Sequence, residues 1–287
     1  MLNIIYNPIA GHGRAARFRD AVDRALTGDG LPHRFHETVA AADVGNIARR
    51  LTSAGETDIV AMGGDGTLHE VLNGLSDPAK VRLGLIPCGG GNDFAAVAGI
   101  PVDPSGAAAL LRGEAKPTDY MVCSGVRGMN LIGAGIDVDI LNLYNRQKLK
   151  GSAGYALALL RALVGFRFYD FEELRDGQSI PHSAFIACVG NGRRCGGGIT
   201  LCPEAQIDDG LLDIAIVDGL RKRQIPGALV KLAQKRLTDL PFTRFRRDTA
   251  LRIQSEPLMP IQIDGEIYEN LPFDVRVVHG ELRMFRP

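Results

Sequence analysis

The chain has 287 residues, with 33 Lys and Arg against 33 Asp and Glu, and 45% of it is hydrophobic. At about 150 residues per domain, this length predicts two domains, and the composition is too apolar for a disordered chain. A net charge of zero argues against a binder of nucleic acid that is basic overall. The sequence shows neither a signal peptide nor an apolar run of about 18 residues, so we expect no membrane-spanning helix.

In the first part of the chain, short apolar runs alternate with segments of helical periodicity. The elements predicted in chain order are strand 2–6, helix 14–26, strand 33–38, helix 44–51, strand 58–62, helix 68–75 and strand 83–87. This alternation predicts a parallel sheet covered by helices on both faces.

The second part of the chain has a different texture. Residues 129–139 have a glycine-punctuated β pattern and residues 154–166 a helical one. The strands predicted after them are 184–189, 199–202, 211–217, 250–254, 260–263, 273–278 and 282–285. Many short strands at close spacing predict a β-sandwich. We therefore expect a first domain at 1–125 and a second at 126–287, with the option that the last few residues return to the first.

The strongest local motif is Gly63-Gly64-Asp65-Gly66-Thr67, between a buried strand and a helix. Glycines let backbone N–H groups approach a phosphate, and a helix N-terminus favours its negative charge. We interpret the turn as a phosphate site, with Asp65 as a candidate Mg²⁺ ligand and Thr67 as a candidate helix cap.

Two more turns of small residues follow predicted strands, at 7–13 and at 87–95. The carboxyl ends of parallel strands share one edge of a sheet, which is where open α/β sheets bind ligands. Neither the Walker A pattern nor G-x-G-x-x-G occurs in these turns, so the common P-loop and dinucleotide-binding interpretations fail.

Five cysteines are scattered along the chain without a C-x-x-C pair. The odd count and the spacing are typical of reduced thiols, and they predict a cytoplasmic protein.

The three turns, together with motifs at 189–198, 203–213 and 263–266, resemble in order the diacylglycerol kinase catalytic-domain family. The chain most resembles its soluble bacterial lipid kinases, which are related to sphingosine and ceramide kinases. The resemblance implies an α/β fold with an N-terminal nucleotide-binding domain like those of NAD kinase and phosphofructokinase, and a C-terminal β-sandwich. It also implies transfer of the γ-phosphate of ATP, with Mg²⁺, to the hydroxyl of diacylglycerol or a related lipid.

The resemblance further implies roles for individual residues. Glu266 would be the proton acceptor, with Asp264 as the alternative. The Asp209 carboxylate and the backbone carbonyls of Gln206 and Leu211 would bind a structural Mg²⁺, a set of oxygen ligands that suits this ion. The residues implied in ATP binding are Asn7, Thr38, Gly63, Gly64, Asp65, Gly66, Thr67, Leu68, His69, Gly90, Asn92 and Asp93.

Two positions depart from the family pattern. The family usually has Thr where this chain has Gly90, and often Asn where it has His69. Loss of the hydroxyl at position 90 would weaken ATP binding, although the backbone amide remains. An imidazole at position 69 would make the site sensitive to pH near neutrality.

Positive charge is concentrated at residues 221–247, which hold nine Lys and Arg against one Asp. A basic amphipathic stretch of this kind predicts peripheral docking on the anionic inner face of a membrane. The alternative is a solvated helix face. The apolar helix at 154–166 is too short to span a bilayer, and we interpret it as a core helix or as part of a groove for acyl chains.

Two rival functions remain open at this point. An NAD kinase shares the Gly-Gly-Asp-Gly-Thr motif, and a non-catalytic sensor of nucleotide or lipid could use the same fold. The acceptor is also open among diacylglycerol, phosphatidylglycerol, a sphingoid base and a prenol. We expect a lipid substrate and no nucleic-acid partner, and leave open whether the protein forms a homodimer.

Overall fold

The structure is a computed structural model that describes residues 1–39, 43–149, 151–165 and 167–287, without the side chains of Ser152, Lys222 and Ala233. The described chain divides into two compact units, Met1–Asp119 with His279–Pro287, and Tyr120–Val278. The chain passes between them after Asp119, compared with the boundary expected near residue 125. Phe166, the last residue of the helix predicted at 154–166, lies outside the described residues.

The first unit is built on a parallel sheet with the strand order β4-β3-β1-β2. Its strands are β1 (Leu2–Tyr6), β2 (His33–Glu37), β3 (Asp58–Gly63) and β4 (Arg82–Pro87). Its helices are α1 (Ala10–Gly28), α2 (Asp43–Ser53), α3 (Asp65–Gly74), α4 (Asp93–Val97) and α5 (Pro104–Leu110).

Burial explains why the strands of this unit are continuous apolar runs. Every residue of β1 and β3 is buried, as expected for parallel strands covered on both faces. The first residues of α1 are not helical, because Gly11, His12 and Gly13 all have positive φ. The regular part of α1 therefore begins near Arg14, where the sequence predicts it.

The second unit is mostly antiparallel. Its strands are β5 (Ala115–Cys123, beginning in the first unit), β6 (Val126–Gly128), β7 (Leu131–Gly135), β8 (Tyr169–Arg175), β9 (Gln178–Gly190), β10 (Arg194–Cys195), β11 (Ile199–Thr200), β12 (Leu212–Asp218), β13 (Thr243–Asp248), β14 (Ala250–Gln254), β15 (Ile261–Ile263), β16 (Glu266–Tyr268) and β17 (Phe273–Phe285, ending in the first unit). Its helices are α6 (Ile136–Arg146), α7 (Gly151–Val164) and α8 (Ile225–Ala233).

The long strand β9 organises this unit. Its first half pairs with β8, and its second half lies between β7 and β12. Ala187 and Val189 point into a core built from strand residues, whereas Ile186 and Cys188 point into a second core that includes side chains from α6 and α7. Because both faces are buried, this antiparallel strand is apolar without alternation.

Three parts of the second unit differ from the prediction. Residues 129–139 are not all β-like, because the chain turns sharply at Gly135 (φ 107°) into α6, which begins at Ile136. The strands predicted at 273–278 and 282–285 are one strand, β17, in which Gly280 takes a φ of 63° without ending the pairing pattern. Residues 221–247 are not one amphipathic stretch, since they contain the helix α8 and most of the strand β13.

None of the helices in the described ranges is both long and apolar enough to cross a bilayer.

Candidate active site

The glycine-rich turns of the first unit pack against one another through their backbones. A Cβ atom on Gly89 would lie 2.5 Å from the Cα of Gly64, and one on Gly11 would lie 1.7 Å from the carbonyl oxygen of Cys88. No side chain fits at these distances. The three turns therefore meet at the carboxyl edge of the sheet only because these positions are glycine.

Asp65 joins the turn at 63–67 to the second turn, at 87–95. Its Oδ2 accepts a hydrogen bond from the backbone N–H of Asp93, and its Oδ1 accepts one from Phe94, both at 3.1 Å. These N–H groups begin α4, so the carboxylate also offsets the positive end of that short helix. Asp65 thus positions the second turn, and its predicted role as a Mg²⁺ ligand stays a prediction.

Gly89 lies at the centre of the second turn and is held by two side chains. Asn92, which has a φ of 52°, accepts a hydrogen bond from the Gly89 N–H at 2.8 Å and donates one to its carbonyl at 2.9 Å. Arg14 donates from Nη2 to the same carbonyl at 2.7 Å and from Nε to the Gly11 carbonyl at 3.2 Å. The sequence analysis missed Arg14, although it directly follows the glycines of the turn at 7–13.

The N-terminus of α3 is shaped for an anion. Gly64 is the N-cap residue, and no side chain caps the first turn of this helix. The prediction that Thr67 caps it is wrong, because Thr67 lies inside the helix, against Gly63. Uncapped first-turn N–H groups at a helix N-terminus form a natural site for phosphate.

Other residues implied in ATP binding differ in their exposure. Leu68 and His69 are buried in α3, and the Asn73 amide nitrogen lies 3.4 Å from His69 Nε2. Gly90 is exposed, and a Cβ atom there would meet no heavy atom within 4 Å. The first two residues can therefore shape the site from beneath, while position 90 has room for a side chain.

Asn7 and Thr38 follow two strands that neighbour β3. The Asn7 side chain accepts a hydrogen bond from the Ile9 N–H at 3.1 Å, and the Thr38 N–H donates to the Tyr6 carbonyl at 3.0 Å. Since β2, β1 and β3 are adjacent and parallel, these residues and Gly63 lie along the same edge of the sheet. The structure thus brings the predicted nucleotide residues of the first unit together.

In the second unit, Asp264 anchors a distant backbone segment. Its carboxylate accepts hydrogen bonds from the N–H groups of Met129 at 2.6 Å, Asn130 at 2.8 Å and Leu131 at 3.1 Å. Glu266, two residues later, is exposed at the start of β16. Of the two predicted proton acceptors, Asp264 is occupied in holding the backbone, and Glu266 is the one open to an incoming group.

The Asn191-Gly192 motif meets the same segment. The Asn191 side chain donates to the Met129 carbonyl at 2.7 Å, and the Gly192 N–H donates to the Asn130 carbonyl at 2.8 Å. Two motifs that lie far apart in the sequence therefore converge on residues 129–131. The sequence analysis missed that segment, because no unusual residue type marks it.

An apolar cavity with a volume of about 80 Å³ lies within the second unit. Its walls include Tyr155, Leu159 and Leu163 from α7, and Leu229 and Leu232 from α8. Its lining is almost wholly apolar, which is typical of pockets that hold hydrophobic ligands.

Asp137 is the one carboxylate among the residues that line this cavity. Its side chain is buried, and burial raises the pKa of Asp137 to about 7. Its Oδ2 accepts a hydrogen bond from Gln262 Nε2 at 3.2 Å, and Gln262 Oε1 accepts one from the Gly265 N–H at 2.9 Å. Hydrogen bonds thus connect the cavity to the turn that carries Asp264 and Glu266.

The Asp209 carboxylate has partners other than the predicted metal. Its Oδ1 accepts a hydrogen bond from the Leu211 N–H at 3.0 Å, and its Oδ2 pairs with Arg247 Nη2. Arg247 also donates from Nε to Asp213 Oδ1 at 2.9 Å, and the two residues are directly opposite each other across β12 and β13. In this arrangement the guanidinium of Arg247 occupies a carboxylate oxygen that the predicted Mg²⁺ would use. The site predicted at Gln206, Asp209 and Leu211 stays a prediction.

No group of three His, Cys, Asp or Glu side chains that could hold a metal ion occurs in the parts of the chain that the structure describes.

Models of two known domain families together cover almost the whole chain. Residues 1–123 match the model of the diacylglycerol kinase catalytic domain, and residues 130–286 match that of the YegS C-terminal NAD kinase beta sandwich-like domain. The chain belongs to the YegS-like family of lipid kinases.

The most similar relatives agree with this assignment. A probable lipid kinase YegS-like from Pseudomonas aeruginosa (strain UCBPP-PA14) is 34% identical over 254 residues, 85% of this chain and 82% of the relative. One from Pseudomonas putida is 33% identical over 274 residues, 92% and 90% of the two chains. The crystal structure of a diacylglycerol kinase from Bacillus anthracis str. Sterne has a TM-score of 0.80 at 24% identity, over 100% of this chain and 96% of that one, which shows the shared fold.

Proposed function

We propose that this protein is an ATP-dependent lipid kinase that transfers the γ-phosphate of Mg²⁺-ATP to a lipid hydroxyl, with diacylglycerol as the first acceptor to test. One observation carries the proposal. The apolar cavity of the second unit is linked through Asp137 and Gln262 to the turn that holds Glu266. A lipid tail in the cavity would bring the lipid's polar end toward a carboxylate that can accept its proton.

On the nucleotide side, the phosphates of ATP would bind the packed glycine turns of the first unit. The first-turn N–H groups of α3 lack a side-chain cap, and the positive end of the helix favours negative charge. Asp65 and Arg14 would act by holding the second turn in place through their bonds to its backbone. Mg²⁺ would arrive with the nucleotide and neutralise charge on its phosphates.

On the acceptor side, the cavity would bind acyl chains, since each buried CH₂ group contributes about 0.8 kcal/mol. Glu266 would accept the proton of the lipid hydroxyl. The hydroxyl oxygen would then bond to the γ-phosphorus as the bond from that phosphorus to the leaving oxygen breaks and ADP departs. Asp264 would hold the backbone of residues 129–131 and take no proton itself.

The cavity does not support the NAD kinase alternative. An NAD molecule is polar along its whole length, whereas Asp137 is the only charged side chain that lines the cavity among the described residues. An acyl chain suits this lining, because it leaves no buried polar group without a partner.

In the decisive experiment, the purified full chain is incubated with labelled ATP and a panel of lipids in neutral detergent. A second incubation contains labelled ATP and NAD. We expect a labelled lipid, and we expect Glu266→Gln to lower kcat by about 10²- to 10⁴-fold, the usual contribution of a general base. Labelled NADP without any labelled lipid would reject the proposal.

Chain-length dependence tests the cavity separately. Ala228 lines it, so Ala228→Phe should raise KM for a long-chain acceptor and leave that for a short-chain acceptor nearly unchanged. The matched control is Ala250→Phe, at an exposed position of β14, which should alter neither. Equal effects on both acceptors in Ala228→Phe would place the lipid tail elsewhere.

A further inference from the structure

The two segments that carry the helical walls of the cavity have charge of one sign only. Residues 141–168, which include α7, contain five Lys and Arg, and residues 219–236, which include α8, contain six. Neither segment contains Asp or Glu, although the whole chain has no net charge. Positive charge is therefore concentrated beside the cavity.

The same segments expose apolar side chains. On α7, Leu160 is 57% and Val164 86% exposed, and they lie one turn apart on one face. Their neighbours Leu159 and Leu163 line the cavity, so the cavity face and the exposed apolar face adjoin around the helix.

The helix α8 repeats this arrangement, with Val230 55% exposed beside the lining residue Leu229. Leu149 and Phe168, which flank α7, are 50% and 39% exposed. Half of the ten most exposed large hydrophobic residues described thus lie in these two short segments.

From this combination we propose that the segments 141–168 and 219–236 form a docking surface for an anionic lipid bilayer. The proposal rests on the proposed function, since it supplies the route by which a lipid enters the cavity. Exposed apolar side chains would enter the headgroup region while Lys and Arg pair with anionic headgroups. A bilayer fits better than a protein partner because the charge has one sign and lies on segments whose helices line an apolar cavity.

The arginines of β13 do not belong to this surface, contrary to the expectation for residues 221–247. Arg244 pairs with Asp218 at 3.4 Å and Arg246 with Glu173 at 2.8 Å, while Arg247 bonds Asp213 and Asp209. Their charges are neutralised within the unit. On the proposed surface, Lys231 and Arg236 share Asp239, so a test should use other basic residues.

The test measures binding of the full chain to sedimented vesicles of phosphatidylcholine with phosphatidylglycerol, and to vesicles of phosphatidylcholine alone. We expect binding only to the anionic vesicles, falling steeply with salt because exposed charges are screened. Replacing Lys148, Arg161, Arg223 and Lys235 with Gln should weaken it at least about 100-fold, since each basic residue near the surface contributes roughly 5-fold. Leu160→Asn with Val164→Asn should weaken it at unchanged charge.

The matched control replaces Arg17, Arg24, Arg49 and Lys116, four exposed basic residues of the first unit, with Gln. It removes the same charge and should bind vesicles like the wild type. An equal loss in the control would mean that net charge alone attracts the protein, and unchanged binding of the Lys148 set would overturn the surface. The proposal would also be overturned if the wild type formed a dimer at micromolar concentration and the variant Leu160→Asn with Val164→Asn did not. In that case a second copy of the chain would cover the exposed apolar side chains.

Activity in detergent separates this surface from the chemistry. The Lys148 set should phosphorylate a short-chain lipid in neutral detergent like the wild type. Vesicle binding without activity on any lipid would support the docking surface and reject the kinase proposal. Full activity without selective vesicle binding would support the kinase proposal and reject the docking surface.

Discussion

The candidate phosphate site of the first unit and the candidate acceptor site of the second are built in different ways. In the first unit the backbone makes the site, and Gly11, Gly64 and Gly89 allow three turns to touch. In the second unit side chains make it, across long sequence separations: Asp264 holds residues 129–131, and Asp137 reaches Gln262. A site built from backbone turns is lost when a side chain is added at one of a few glycine positions. A site built from side chains is lost when either partner of a hydrogen bond is replaced.

The largest effect on stability should come from removing the anchor of the second site. In Asp264→Ala the N–H groups of Met129, Asn130 and Leu131 lose their acceptor. Each buried N–H left without a partner costs about 1–3 kcal/mol, so the free energy of unfolding should fall by about 5 kcal/mol. Chemical denaturation measures this. Glu266→Ala, in the same turn but exposed, is the control and should change stability by less than about 0.5 kcal/mol.

The buried carboxyl of the second unit should make stability depend on pH. The pKa of Asp137 is raised by burial to about 7 in the folded protein, above its value of about 3.9 in the unfolded chain. The folded state then holds a proton that the unfolded state has lost, so this group lowers stability as pH rises from about 4 through 7. In Asp137→Asn that loss, at most about 4 kcal/mol, should vanish.

Unfolding midpoints of the wild type and Asp137→Asn between pH 5 and pH 8 provide the measurement, because all other groups titrate alike in both. Parallel curves would show that Asp137 is ionised without penalty.

In the first unit, a single methyl group should have a local effect. A Cβ atom on Gly89 would collide with Gly64, whereas one on Gly90 would meet nothing within 4 Å. We expect Gly89→Ala to weaken ATP binding about 10- to 100-fold, since forcing an extra methyl group into a packed contact costs typically about 1–3 kcal/mol. Gly90→Ala, the neighbouring control, should bind ATP like the wild type in calorimetry. Similar affinity in both variants would mean that the packed turns are not the phosphate site.

The smallest effect concerns the partner of the Asp209 carboxylate, which is either the Arg247 guanidinium or Mg²⁺. Because Arg247 already pairs with Asp209 and Asp213, melting of the nucleotide-free wild type should be the same in Mg²⁺ and in a chelator. Arg247→Gln should lose about 2 kcal/mol, the scale of a hydrogen bond to a charged group, and regain part of it in Mg²⁺. Stabilisation of the wild type by Mg²⁺ that Asp209→Asn removes would instead support the predicted metal site.

The strand β13 shows what the sequence analysis could have seen and did not. Arg244 and Arg246 alternate with Phe245, which packs against the helix-side core. That alternation has the period of a strand, but the excess of positive charge directed attention to an amphipathic surface. In the folded chain Arg247 lies directly opposite Asp213, while Arg244 and Arg246 pair with Asp218 and Glu173.

The amino-acid sequence was sufficient to predict the parallel sheet of the first unit, its glycine turns and the order of the family motifs. These features are local, since a buried parallel strand needs an unbroken apolar run and a backbone turn needs glycine where a Cβ atom would collide. Which carboxylates anchor the backbone and which are exposed is visible only in the folded chain. Asp264, Asp209 and Asp137 are three aspartates that the sequence does not distinguish. Their roles differ because each carboxylate has different hydrogen-bond partners, which lie up to 135 residues away in the chain.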